Sequence, residues 1–134
     1  MRSPKQIFIV EDHQAFAEAL ALSFESDPRF EVCGVAGDLV QATAMMAEVR
    51  ADLVIVDHQL PGGTGLELIP LLREMNPDSR YLMLSQEEPA THAPRARQAG
   101  ASGYLQKGVP LLVLLDVAAS ILAGAEHFPG ICAA

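Results

Sequence analysis

The sequence predicts an α/β fold, a doubly wound five-stranded parallel sheet carrying five helices. Three observations predict it. Short apolar runs recur at even intervals, segments with helical spacing separate them, and 134 residues with 50% hydrophobic content suit one domain with a substantial core.

The first run, residues 7–10, is apolar without alternation, as a strand buried on both faces requires. A helix is expected from near His13. Residues 30–36 form the second run, where Phe30-Glu31-Val32 alternates like an edge strand, and a helix follows from near Leu39. Runs three and four, residues 53–56 and 81–84, are again continuously apolar, with a helix from near Gly65 between them. A fourth helix is expected from near Pro94, a fifth strand over residues 103–105 and a fifth helix from near Pro110. Strict β-α alternation implies right-handed crossovers and a parallel sheet, and at this size the flavodoxin-like strand order 2-1-3-4-5 is the common solution.

Charge and composition narrow the function. With 9 Lys+Arg against 17 Asp+Glu the formal charge is -8, a field that repels phosphate backbones and anionic lipid, so direct nucleic-acid binding is not expected. Two cysteines, Cys33 in an apolar setting and Cys132 near the end, form no Cys-x-x-Cys pair, and no signal-like N-terminus is present. A reduced, cytoplasmic setting is expected. The apolar stretch 109–125 is short for a bilayer span and carries Asp116, so no membrane association is expected and a buried or partner-facing helix is read instead.

Ligands of such sheets bind beyond the carboxyl ends of the strands. There the sequence places Glu11 and Asp12 after strand 1, Asp57 after strand 3, Ser85 after strand 4 and Lys107 after strand 5. Three converging carboxylates repel one another unless a cation sits among them, and a hard, oxygen-seeking ion such as Mg²⁺ suits them. Metal, lysine and hydroxyl could together hold an incoming phosphoryl group while one carboxylate attacks it. Asp57 is the best nucleophile candidate, since Glu11 and Asp12 are adjacent and better placed as metal ligands. Any one of these acids alone would read as a helix cap or turn residue, and Asp12 could cap the helix at His13. His13 and His58 flank the acids, so a softer metal is an alternative, with solvated polar residues the simpler reading.

Four segments carry a family resemblance: Ile7-Phe8-Ile9-Val10-Glu11-Asp12-His13; Leu53-Val54-Ile55-Val56-Asp57 with Leu60-Pro61-Gly62 and Gly65; Leu84-Ser85; and Gly100-Ala101-Ser102-Gly103-Tyr104-Leu105-Gln106-Lys107. Together they resemble the receiver domain of two-component response regulators across nearly the whole chain, so residues 1–134 are expected to be one receiver domain, with its output domain absent. The resemblance implies Asp57 as phosphoacceptor, Mg²⁺ held by Glu11, Asp12, Asp57 and the backbone carbonyl of Gln59, and Ser85 and Lys107 on the phosphoryl group. Tyr104 matches the aromatic position that changes rotamer with Ser85, turning inward on phosphorylation. The Glu11-Asp12-His13 opening and the ending Leu122-Ala123-Gly124 most resemble the NarL/FixJ-type branch, whose receivers usually precede a DNA-binding domain. A histidine kinase is then the implied phosphodonor, and the face of helix 4, strand 5 and helix 5 the implied readout.

Two positions depart from the family pattern. Gln86 stands where Ala or Gly is usual and could obstruct the phosphoryl path. Gly108 stands where Pro, often after a cis bond, is common; before a non-proline residue cis costs about 2.5–4 kcal/mol, leaving the Lys107 loop trans, or cis and strained. The run 111–115 is wholly apolar, so a one-sided helix must turn some of it outward, toward a homodimer partner or another part of a longer protein. Two rival functions stay open: a receiver-like interaction module working without phosphorylation, and a Mg²⁺-dependent phosphohydrolase, disfavoured because Gln59 cannot serve as an acid/base.

Overall fold

A computed structural model describes residues 3–129. In chain order it contains β1 (Lys5–Val10), α1 (Gln14–Glu25), β2 (Phe30–Ala36), α2 (Leu39–Met46), β3 (Leu53–Asp57), β4 (Gln59–Leu60), β5 (Gly63–Thr64), α3 (Gly65–Met75), β6 (Arg80–Ser85), α4 (Pro89–Ala99), β7 (Gly103–Gln106) and α5 (Leu111–Leu122). The main sheet is parallel in the order β2-β1-β3-β6-β7, which is the expected 2-1-3-4-5 counted over its five strands.

Strand alternation divides the core. Ile7, Ile9, Leu53, Ile55, Leu82 and Leu84 face α1 and α5, where they pack with Phe24 and Ile121 among others. Phe8, Val10, Val54, Val56, Tyr81 and Met83 face α2, α3 and α4. Burial on both faces explains why these strands read as continuous apolar runs. β2 lies at the edge, as its alternation predicts, and a register shift there pairs Ile7 with Val32 but Phe8 with Gly34, leaving Cys33 as a bulge. Cys33 is half-buried rather than enclosed. Cys132 lies outside the described residues.

Three local findings differ from expectation. The fourth helix starts at Pro89, not near Pro94; Pro89 takes the first helical position, where a missing N–H costs nothing, and Pro94 sits inside the helix. Asp12 is not the cap of α1: His13 is, its Nδ1 accepting from the Phe16 N–H at 3.3 Å. A small antiparallel ribbon, β4 with β5, was not anticipated, although Pro61-Gly62 with Gly62 at φ +88 has the type II turn signature. Among the described residues no helix is long and apolar enough to cross a membrane.

Candidate functional site

Strand register assembles the site. Val10 pairs with Val56, Asp57 with Leu84 and Ser85 with Gln106, so the residues at these ends, Glu11, Asp57, Ser85 and Lys107, stand side by side. They line a crevice of about 490 Å³ together with Asp12 and Gln86. Gln59 reaches the same crevice from β4. The structure thus brings together every site residue named from the sequence except Tyr104, which lies just behind.

Lys107 Nζ lies 2.7 Å from Glu11 Oε1 and 3.1 Å from Asp57 Oδ2. The Glu11 and Asp57 side chains are only 2% and 8% exposed, so the ammonium offsets part of a desolvation cost that neither carboxylate could bear alone. Burial nevertheless pushes the Glu11 carboxyl up from its usual range, against the pull of Lys107 and with the push of Asp57. Burial alone would lower the Lys107 ammonium, but its bonds to Glu11 and Asp57 outweigh this and hold it above the ordinary lysine value. The other oxygen, Glu11 Oε2, accepts from the His13 N–H at 3.0 Å, and Lys107 Nζ sits 5.0 Å from the Phe16 ring centroid. The Lys107–Gly108 peptide is trans, and Gly108 has φ +106, a conformation closed to proline. This glycine therefore shapes the lysine loop by a route of its own.

Glu11, Asp12 and Asp57 each offer a carboxylate oxygen within 4.8 Å of the others. Around Mg²⁺ at about 2.0–2.1 Å, cis ligand oxygens lie roughly 2.9 Å and trans ones roughly 4.2 Å apart, so the three carboxylates could serve as ligands by drawing in toward the ion. All donors are hard oxygens, and one ammonium leaves two of three negative charges uncompensated. His13 and His58 do not join this group.

Behind the crevice, the Glu87 backbone ties two predicted residues together. Its N–H donates to Ser85 Oγ at 3.0 Å and its carbonyl accepts from the Tyr104 hydroxyl at 2.8 Å. Tyr104 is fully buried, so in this structure it already occupies the inward position, and burial raises its hydroxyl pKa. Gln86 is exposed at the crevice lining, its carbonyl accepting from Gln106 Nε2 at 3.1 Å.

Sequence reasoning missed two features. The role of Glu87 is a backbone role, which no side-chain pattern signals. His58, expected as a solvated loop residue, is buried and stacks on His92 of α4 with ring centroids 4.1 Å apart. Burial, then the neighbouring His92, lowers its pKa, with Glu87 opposing.

Fold and crevice define a doubly wound α/β domain built around an acidic, lysine-bridged pocket at the strand ends. The pattern of the response regulator receiver domain matches residues 7–119, and the chain belongs to that family. It is 33% identical over 119 residues to the DNA-binding transcriptional activator DevR/DosR of Mycobacterium tuberculosis, covering 89% of this chain and 55% of that protein. It also superimposes on a LuxR-family two-component response regulator from Aurantimonas sp. SI85-9A1, with a TM-score of 0.88, 30% identity, and coverage of 95% and 91% of the two chains. A Burkholderia pseudomallei response regulator solved with a phosphorylated aspartic acid, calcium ion and citrate is 27% identical with a TM-score of 0.76, covering 89% and 71%. These relatives accord with the NarL/FixJ-type branch. The chain spans about half the length of the curated relatives it matches.

Proposed function

We propose that this domain is a phosphorylation-activated switch in which Asp57 accepts a phosphoryl group. The observation that carries the reading is the buried Asp57 carboxylate held 3.1 Å from Lys107 Nζ, with Asp12 and Glu11 beside it. Glu11, Asp12, Asp57 and the Gln59 carbonyl are the residues that would hold Mg²⁺, which when bound neutralises charge on the phosphoryl oxygens and orients them. An Asp57 oxygen attacks phosphorus in line, forming a P–O bond as the P–N bond of a histidine kinase phosphohistidine breaks and the leaving imidazole takes up a proton. Lys107 then pairs with a phosphoryl oxygen and the Ser85 hydroxyl donates to another. The phosphoaspartate of the Burkholderia relative supports this assignment.

Added charge of about -1.5 to -2 draws on Ser85 and reaches Tyr104 through Glu87, altering the α4–β7–α5 face. In the whole protein this face controls transcription, with DNA contacted by a separate output domain, residues 1–134 supplying the receiver unit. The setting is cytoplasmic, and the receiver pairs with a second copy. The test is incubation with Mg²⁺ and a small acyl phosphate, followed by intact mass. A lasting gain of one phosphoryl group, lost in Asp57→Asn, is expected. No gain would leave the phosphorylation-independent interaction module, and donor turnover without lasting gain would leave the phosphohydrolase.

A further inference from the structure

Beyond α5 the chain turns back onto the sheet. Gly124 adopts φ +108, its N–H donates to the Ile121 carbonyl at 2.9 Å, and the Ala125 N–H donates to the Ser120 carbonyl at 3.0 Å. This Schellman closure redirects residues 125–128 along β7. There the Tyr104 N–H donates to the His127 carbonyl at 2.8 Å, and the His127 N–H donates to the Ser102 carbonyl at 2.9 Å. His127 and Gly103 thereby form an isolated parallel bridge on the outer edge of the sheet. Gly103 belongs to the fit, since a Cβ there would stand 2.8 Å from Ile121 Cδ1 and 3.1 Å from the His127 oxygen.

The same segment grips α4. Arg97 Nη2 lies 3.1 Å from Glu126 Oε1, and the guanidinium lies 5.6 Å from the Phe128 ring centroid. Phe128 itself packs against the core on the side of α2, α3 and α4. An exposed Arg–Glu pair alone contributes little, whereas paired backbone, a packed ring and the ion pair together fix the segment in place.

We infer that residues 125–128 are a regulatory strap that closes the free edge of β7, clamps α4 to it, and is coupled to the crevice loop through Tyr104. One residue makes both connections: the Tyr104 N–H holds His127, and the Tyr104 hydroxyl holds the Glu87 carbonyl, whose own residue bonds Ser85. Displacing the crevice loop therefore loosens the strap, and displacing the strap loosens the loop, because such coupling is reciprocal. The chain after α5 then carries the state of the crevice away from the domain. This device stands on strap and loop and does not require Asp57 to be phosphorylated.

Hydrogen exchange of single amides in the full chain tests it. In the wild type the Tyr104 and His127 amides should exchange slowly. Phe128→Ala, and separately His127→Pro, should speed exchange of the Tyr104 amide and of residues 96–99 in α4 about tenfold or more, with the β1 and β3 amides unchanged as the sign of an intact fold. Tyr104→Phe, which deletes only the hydroxyl, should speed the His127 amide. A wild-type Tyr104 amide exchanging like an unbonded one would overturn the inference. So would an α4 indifferent to both strap variants, or a His127 amide indifferent to Tyr104→Phe. Intact mass of the same samples after acyl phosphate reads Asp57 separately, so a failure of phosphorylation is told apart from a failure of the strap.

Discussion

At the scale of single residues, the crevice was legible because each member stands at the end of an apolar run, and parallel register converts four run ends into one site. The stacking of His58 on His92 was not legible, because only the packing of α4 against the β3 end brings the two rings together. Gln86 tests the accessibility of the crevice. It lines the crevice, and if its side chain overhangs the line of attack, Gln86→Ala should speed both phosphorylation by small acyl phosphates and hydrolysis of the product, checked by intact-mass time courses. Equal rates would show the side chain standing clear. Tyr81 gives a pH prediction. Burial pushes its hydroxyl up to about 12 from 10.0, and the hydroxyl donates to the Asn76 carbonyl at 3.1 Å. The folded-state value is the raised one, so this contribution is fully present below pH 10 and is lost as pH climbs toward 12. Tyr81→Phe should flatten the fall in unfolding free energy over that interval, measured by urea denaturation across alkaline pH.

Among the elements, the central strands were readable since burial on both faces demands unbroken apolar sequence, and β2 was readable because an edge alternates. α4 was misplaced at its start for a physical reason: it has two prolines, and its buried residues are only Ala93 and Ala96, so no large apolar stripe marks its span. Pro94, exposed within the helix, leaves the Ala90 carbonyl without its intrahelical donor. Pro94→Ala should therefore raise the unfolding free energy by about 1–2 kcal/mol, the helix gain being partly offset by greater freedom of the unfolded chain. Urea denaturation checks it, and an unchanged midpoint would mean that α4 is already frayed.

For the whole molecule, α5 shows how far its apolar run is spent inside. Leu114 and Leu115 are buried, while Leu112 is 76% and Val113 42% exposed. Burying each such side chain fully is worth roughly 1.5–3 kcal/mol, which favours a homodimer through α5. Sedimentation at micromolar concentration should show that dimer, and Leu112→Lys should dissociate it while shifting unfolding stability by no more than about 0.5 kcal/mol. A strict monomer with and without acyl phosphate would reject the interface and leave Asp57 untouched.

Edge geometry has one more consequence. A parallel sheet of five strands has two rims where unpaired amides could template the growth of fibrils. Here one rim is bent by the bulge at Cys33 and the start of the other is covered by His127 bridging Gly103. A chain cut just after α5 would lose the Phe128 packing and the His127 bridge, so shortening this domain should loosen the crevice loop and, by exposing the β7 rim, invite edge-to-edge aggregation.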